Sequence, residues 1–319
     1  MISFELGVED LADTRFALSP LDETALSLRV LREPGLQAVH LPWRRFALAR
    51  LDPRDVRLLT SLVGTRLAIP DFLGPRPTTF APRFEDELSI VRRTPPELVR
   101  RDMEAALVQA TPPDDAAAVR LRDDACDVLH RYWRTVLEPV WPQMRLLLEA
   151  DMTYRARQLA VGGARLLFAD MHPNLRWQDG VLHIDKMIGR HRVAVAGRGL
   201  LLMPAVFAHK PAPPVHPDEP PSLSYPSRGV ATLWAAAPEP DDTALTSVLG
   251  QRRAALLAVL DEPLPTVELA RRLNVTPSAV SQHLRVLYAA GLLTRARDGR
   301  HVLYRRSDLG DQLTRGVRG

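Results

Sequence analysis

Between Thr276 and Gly291 the sequence TPSAVSQHLRVLYAAG sets Val280, Leu284 and Leu287 at i, i+4 and i+7, the spacing of one buried stripe on a helix. Ser278, Ser281, Gln282 and Arg285 recur at helical spacing on another face, with no carboxylate among them. Thr276 supplies a hydroxyl N-cap, and Pro277 suits the first helical position because its missing N–H would be unpaired there. Gly291 is placed to take the left-handed conformation that ends a helix, with Leu292 as its apolar partner. Such an exposed face suits a helix lying in a DNA major groove, where Gln pairs with adenine and Arg with guanine.

The flanking patterns extend this element. Residues 266–273, TVELARRL, predict a short helix capped by Thr266, with Val267, Leu269, Ala270 and Leu273 turned inward. Asn274 tolerates a left-handed turn, and Val275 can plug the gap behind it. Downstream, LLTRARDGRHVLYRR reads as two β-rich runs flanking Asp298-Gly299, a two-residue hairpin signal. Arg295, Arg297, Arg300, Arg305 and Arg306 stud that hairpin. Helix, turn, helix and basic hairpin in this order describe a winged helix-turn-helix.

Upstream the pattern is mainly helical. Helices are predicted over 20–32, 36–51, 52–62, 84–93, 95–109, 114–136 and 140–167, with a loop rich in Pro and Gly at 70–82. Near Leu175 the period changes to two. LRWQDGVLHIDK predicts a hairpin around Asp179-Gly180, 193–206 gives two runs turning at Gly197-Arg198-Gly199, and GVATLW (229–234) a last strand. The fold expected is α+β: a mostly helical N-terminal domain with a small antiparallel sheet, then a C-terminal winged helix-turn-helix. The boundaries expected are 1–234, a linker at 235–242 (AAAPEPDD) and 243–319.

Charge sharpens the picture. From Asp241 onward there are 12 Arg and 8 Asp or Glu, a net of +4 equal to that of the whole chain. A local basic excess is the footprint of a polyanionic partner. Wing arginines then serve as phosphate or minor-groove contacts. His283, beside the buried stripe, suits packing or a phosphate bond equally. The expected DNA contacts are therefore Thr276, Ser278, Ser281, Gln282, His283, Arg285, Arg295, Arg297 and Arg300.

Other chemistry is thinly represented. Cys126 is the single cysteine, so a disulfide within the chain and a cysteine-based metal cluster are excluded. Cys126 and His130 stand at i and i+4, yet two ligands without a third make a poor metal site. No Gly-rich phosphate loop, G-x-S-x-G or HExxH occurs. No enzyme activity, cofactor or metal is expected. The acidic start MISFELGVED lacks the basic region of a secretory signal, and the longest apolar run, 199–208, is too short to span a bilayer. A cytoplasmic protein without membrane contact is expected.

The segment from about Leu245 to Leu309 resembles the ArsR-type winged-helix regulators, carried by VELARRLNVTPSAVSQHLRVLYAAGLL and TRARDGRHVLYRR. The resemblance implies a homodimer on twofold-symmetric operator DNA, a repressor released by a signal, with a dimer interface on 243–260 and the C-terminal helix. Metal-sensing members carry cysteines in the first helix of the motif or Asp, His and Glu ligands on the C-terminal helix. TVELARRL has no cysteine, and SDLGDQLTRG has neither His nor Glu. The N-terminal part, through ISFELGVEDLADTRFALSPLDE, LRWQDG, GRGLLLMPAVFA and YPSRGVATLW, resembles a domain preceding such wings in some longer regulators. The expected signal is therefore an apolar small molecule or a protein partner acting on the N-terminal domain. Two rival readings are an enzyme domain with an appended DNA-binding module, and an N-terminal dimerisation or docking module without ligand.

Overall fold

The computed structural model describes residues 1–106, 108, 111–112, 114–187, 189–234, 242–298 and 301–315. The chain divides into two compact units, Met1–Ala235 and Ala236–Gly319. The expected linker, 235–242, lies outside the described residues except for Asp242.

The first unit runs β1 (Ile2–Glu5), α1 (Val8–Ala12), β2 (Arg15–Phe16), α2 (Pro20–Arg32), α3 (Leu41–Leu48), α4 (Pro53–Ser61), α5 (Phe84–Arg92), α6 (Pro96–Ala105), α7 (Asp115–Tyr132), α8 (Trp141–Ala169), β3 (Leu175–Gln178), β4 (Val181–Ile184), β5 (His191–Ala194), β6 (Leu201–Ala205) and β7 (Ser222–Pro226). Caps explain several helix starts. The Ser19 hydroxyl accepts from Asp22 N, and the Asp52 and Asp114 carboxylates accept from Arg54 N and Ala117 N. The helix expected over 36–51 instead begins with a 3-10 turn, Ala38–His40, before α3.

Helix α2 is central. Leu21, Leu28 and Leu31 are buried, and so are Glu23, Thr24, Ser27 and Arg29 on its other faces. It packs against α4 and α5 within a helical core that also holds Cys126, Tyr132 and Trp133. A second core joins Ile2, Phe4, Leu167, Phe168, Leu182 and Tyr225. Helix α8 serves both: Met144 and Leu148 lie in the first core, Leu167 and Phe168 in the second. Between them it breaks at Gly162 and Gly163, the latter at φ 60°, ψ −160°, a conformation essentially confined to glycine.

The expected antiparallel sheet is present as β3-β4-β1, and the two-residue turn Asp179–Gly180 falls where the sequence puts it, with Gln178 opposite Val181. Parallel pairing extends it. β5 adds to β1 in parallel, and β2-β6-β7 form a separate parallel sheet. The runs on either side of Gly197–Gly199 therefore enter different sheets instead of pairing with each other. The expected strand at 229–234 is a 3-10 turn, Val230–Thr232, entered from Gly229 at φ 78°. The last strand is β7, just upstream.

Buried carboxylates hold donors that lie outside the helix and strand ladders. Glu23 accepts from Val206 N (2.5 Å) and Phe207 N (3.1 Å), Glu87 from Ser19 Oγ (2.7 Å) and Leu21 N (3.0 Å), and Asp71 from Val215 N (2.9 Å) and His216 N (2.8 Å). Burial outweighs these bonds and pushes Glu23 and Glu87 up to about 8. In the unfolded chain both ionise near the ordinary 4.5. At these two sites the folded unit thus binds more protons between these limits, so the stability they contribute is full below about pH 4.5 and is lost as pH rises through about 8. All five tryptophans lie in this unit, so tryptophan fluorescence reports its melting. The midpoint is expected to drop by about 5 °C or more from pH 5 to pH 8.5, and less in a Glu23→Gln, Glu87→Gln double variant.

The second unit runs α9 (Asp242–Leu249), α10 (Gln251–Val259), β8 (Leu264–Pro265), α11 (Thr266–Arg272), α12 (Pro277–Ala289), β9 (Leu293–Asp298), β10 (His301–Arg306) and α13 (Asp308–Arg315). The stretch 243–260, which the resemblance implies at a dimer interface, is two helices separated at Gly250, φ 81°. No helix among the described residues is long and apolar enough to cross a membrane.

Candidate nucleic-acid interface

Leu257, Leu260, Leu269, Ala270, Val280, Leu284, Leu287, Leu292 and Leu293 close one apolar core beneath α10, α11 and α12. The stripe Val280, Leu284 and Leu287 is at most 1% exposed. Val267, expected inward, is 63% exposed, and α11 begins one residue earlier than the cap expected at Thr266 implies. Pro265 is the N-cap, without a side-chain bond, and Thr266 is the first helical residue.

The turn between α11 and α12 is closed by Asn274 at φ 53° and by Val275 N donating to Ala270 O at 3.0 Å. Helix α12 is capped at both ends. Thr276 Oγ1 accepts from Ala279 N at 3.3 Å. At the far end Gly291 (φ 74°) lets its N–H donate to Tyr288 O and Leu292 N–H to Leu287 O, each 3.0 Å, the two bonds of a Schellman ending.

That frame leaves Thr276, Ser278, Ser281, Gln282 and Arg285 exposed, and His283 half-buried at the flank. Ser278, Ser281, Gln282 and Arg285 share one face of a helix of 13 residues that carries no acidic side chain. Glu268 is the nearby acid on α11, and it is engaged by Arg271 (2.6 and 2.9 Å) and Arg272 (3.0 Å). Those bonds hold its carboxyl down at about 2.

The wing pairs β9 with β10 in antiparallel register, Asp298 opposite His301, and β8 joins its outer side. Asp298 therefore ends a strand instead of sitting in the turn. Gly299 and Arg300, the latter an expected DNA contact, lie outside the described residues. Arg295 and Arg297 are exposed on β9. The Arg295 guanidinium sits 4.5 Å from the centre of the Tyr288 ring, a cation–π contact that ties the wing cation to the end of α12. In the sequence Tyr288 reads as one more helix residue, and only the contact with Arg295 distinguishes it.

Arg306 behaves differently from its neighbours. Its side chain is 11% exposed, bonds Asp311 at 2.7 Å, and donates to Leu257 O (3.0 Å) and Ala258 O (3.1 Å) at the end of α10. It anchors the domain and is not presented to a partner. Cys126 and His130 also take structural positions. The thiol is buried, which pushes it up to about 11, and His130 lies against Phe84.

Comparison with known proteins falls on this unit. A family model described as a helix-turn-helix domain matches residues 253–296. The HTH-type transcriptional repressor SmtB of Mycobacterium tuberculosis is 54% identical over 41 residues, 13% of this chain and 30% of that protein. The chain thus spans less than a third of the length of the curated relatives it matches. Among solved structures, reduced HlyU from Vibrio cholerae N16961 is 29% identical, covering 23% of this chain and 86% of that one, with a TM-score of 0.20. A possible transcriptional regulator for arsenical resistance is 32% identical over 24% of this chain and 77% of that one, with a TM-score of 0.19. On sequence and local architecture together, the C-terminal region of this protein is a winged helix-turn-helix of the ArsR/SmtB type.

Proposed function

We propose that the protein is a sequence-specific DNA-binding transcriptional regulator, a repressor that acts as a homodimer and is released by a non-metal signal received by the N-terminal unit. The observation that carries this reading is the acid-free exposed face of α12, held by caps at both ends and flanked by a basic wing. Gln282 and Arg285 are the base-reading residues, suited to adenine and guanine edges. Thr276, Ser278, Ser281 and His283 contact the backbone or neighbouring base edges, and Arg295, Arg297 and Arg300 contact phosphates.

A dimer is supported by apolar side chains left uncovered on the outer helices: Val248 of α9 is 83% exposed, Leu309 and Leu313 of α13 49% and 40%. Two recognition helices related by a twofold axis require half-sites about 10 base pairs apart. The absence of cysteine from α11 in the sequence and the burial of Cys126 favour a signal other than a thiolate-bound metal. Such a signal changes operator affinity only through unequal affinity for two dimer arrangements, about 1–3 kcal/mol in typical cases.

Binding-site selection from random duplex DNA with the full chain tests the reading. A palindromic consensus is expected, bound with an affinity that falls steeply as salt rises. Recovery of DNA without any sequence preference would overturn it.

A further inference from the structure

Of the 42 Lys and Arg side chains only two are lysine, Lys186 and Lys210. They stand 24 residues apart, yet the fold of the first unit brings them together. Lys210 Nζ donates to Lys186 O at 3.3 Å, and both ammonium charges act on His172. A chain that uses arginine everywhere else places lysine here for something arginine does not do. Both side chains carry charge, but only the lysine amine gives up its proton within reach of neutral pH and becomes a nucleophile.

Lys210 lines a small cleft of about 50 Å³ with Arg29 and Arg66, between apolar walls that include Ile2, Met187 and Pro211. No carboxylate is among the described residues that line it. Asp22 is the counter-charge of Arg29, which leaves the half-buried Lys210 and the exposed Arg66 as the cations of the cleft without one. Burial, and then the Arg29 charge, push the Lys210 ammonium down from its ordinary 10.5. His209 beside it is held neutral, pushed down to about 3 by burial first and then by Arg29, Lys210 and His172.

The backbone around the cleft is also unusual. Among the described residues five other than glycine take a positive φ, and two of them, Leu67 (φ 60°) and Lys186 (φ 58°), stand at this place. Their carbonyls accept from its cations: Leu67 O from Arg29 Nε at 2.8 Å, and Lys186 O from Lys210 Nζ. Left-handed backbone is disfavoured for such residues and gathers where a structure holds groups for use.

We propose that Lys210 is a reactive amine that takes a short α-oxo acid as an imine, the oxo carbon joined to Nζ and the carboxylate held by Arg66. The lone pair of the free amine attacks the oxo carbon, and the carbonyl π pair moves to oxygen. That oxygen leaves as water with the two amine protons, and a C=N bond remains, so no oxidant or reductant is required. A guanidinium fork suits the two oxygens of the carboxylate. A dry cavity of about 150 Å³ accepts benzene, so a cleft of about 50 Å³ admits a head of only a few heavy atoms and selects a short acid.

The test uses the full chain without DNA, so its outcome is independent of the operator reading. The protein is treated at neutral pH with glyoxylate, pyruvate or propanal together with cyanoborohydride, which reduces an imine to a stable secondary amine. Peptide mass mapping then compares the adducts on the two lysines, with the exposed Lys186 as internal reference. With either α-oxo acid Lys210 is expected to label at least about tenfold faster than Lys186, and with propanal, which lacks the carboxylate, that preference is expected to fall by about threefold or more. Arg66→Gln, a change at an exposed side chain, is expected to lower the preference shown with the acids and to leave that with propanal unchanged. In urea the two lysines are expected to label alike. The proposal is overturned by the absence of an adduct on Lys210, by equal labelling of both lysines in the folded chain, by a preference as large with propanal as with the acids, or by one that survives Arg66→Gln or urea.

Discussion

Alanine at position 284 is expected to destabilise the C-terminal unit by about 2–5 kcal/mol, the range for removing a fully buried leucine where the neighbours relax only partly. Leu284 is 0% exposed and shares its core with Leu257, Leu269 and Leu287, so α10, α11 and α12 all lose contacts to one side chain. A domain's whole stability is typically about 5–15 kcal/mol, so the loss is a large share of the total. Amide exchange in α11 and α12 reads it directly, with an expected acceleration of about thirtyfold to several thousandfold where opening is global. Leu284→Met, which nearly conserves volume, is expected to cost less than about 1.5 kcal/mol. Equal exchange rates in the two variants would mean that the stripe is not the keystone of the motif.

The second large effect concerns recognition. Gln282→Ala and Arg285→Ala are each expected to lose about 1–3 kcal/mol of discrimination at one base position, about five- to 150-fold in relative affinity. Both side chains are exposed and lie outside the buried stripe, so the loss should appear without a fall in stability. Arg297→Ala is expected to weaken all sequences alike and to reduce the salt slope by about one. Competition between the selected site and single-position variants at fixed salt separates the two patterns. If substitution at 282 or 285 leaves the preference at every position intact, α12 does not read the bases.

The recognition element was legible because its determinants are local. Thr276, Pro277, Asn274 and Gly291 specify caps and turns within a few residues of where they act, and the stripe between them needs no distant information. Errors in the same unit have equally local causes. Pro265 takes the cap position that a hydroxyl at Thr266 suggested, and Gly250 interrupts a run whose apolar spacing continues on both sides. Arg306 looks like any other wing arginine until the end of α10 is brought beside it.

The first unit was legible in its helices and less so in its sheets. A helix announces itself by a period within one segment, whereas parallel partners such as β1 with β5 are specified only by where the rest of the chain leads them. β7 carries no strand signal because three of the five residues of SLSYP are serine or proline in a proline-rich neighbourhood, yet its first four residues are buried.

The position of β1 in its sheet has a consequence for biosynthesis. Its partners in β4 are separated from it by about 180 residues, as in the Ser3–His183 pair, and β5 lies further along still. A ribosome adding about 5–20 residues per second therefore completes β4 about 10–40 s after β1 has been made. Through that interval the strand that will hold the middle of the sheet, with Ile2 and Phe4 on its apolar face, has no edge to pair with. The helical core, built mainly from residues between Leu18 and Leu148, can assemble in the meantime. Nascent chains stalled before residue 181 should accordingly engage chaperones through this segment, and release of that contact would mark the moment the sheet closes.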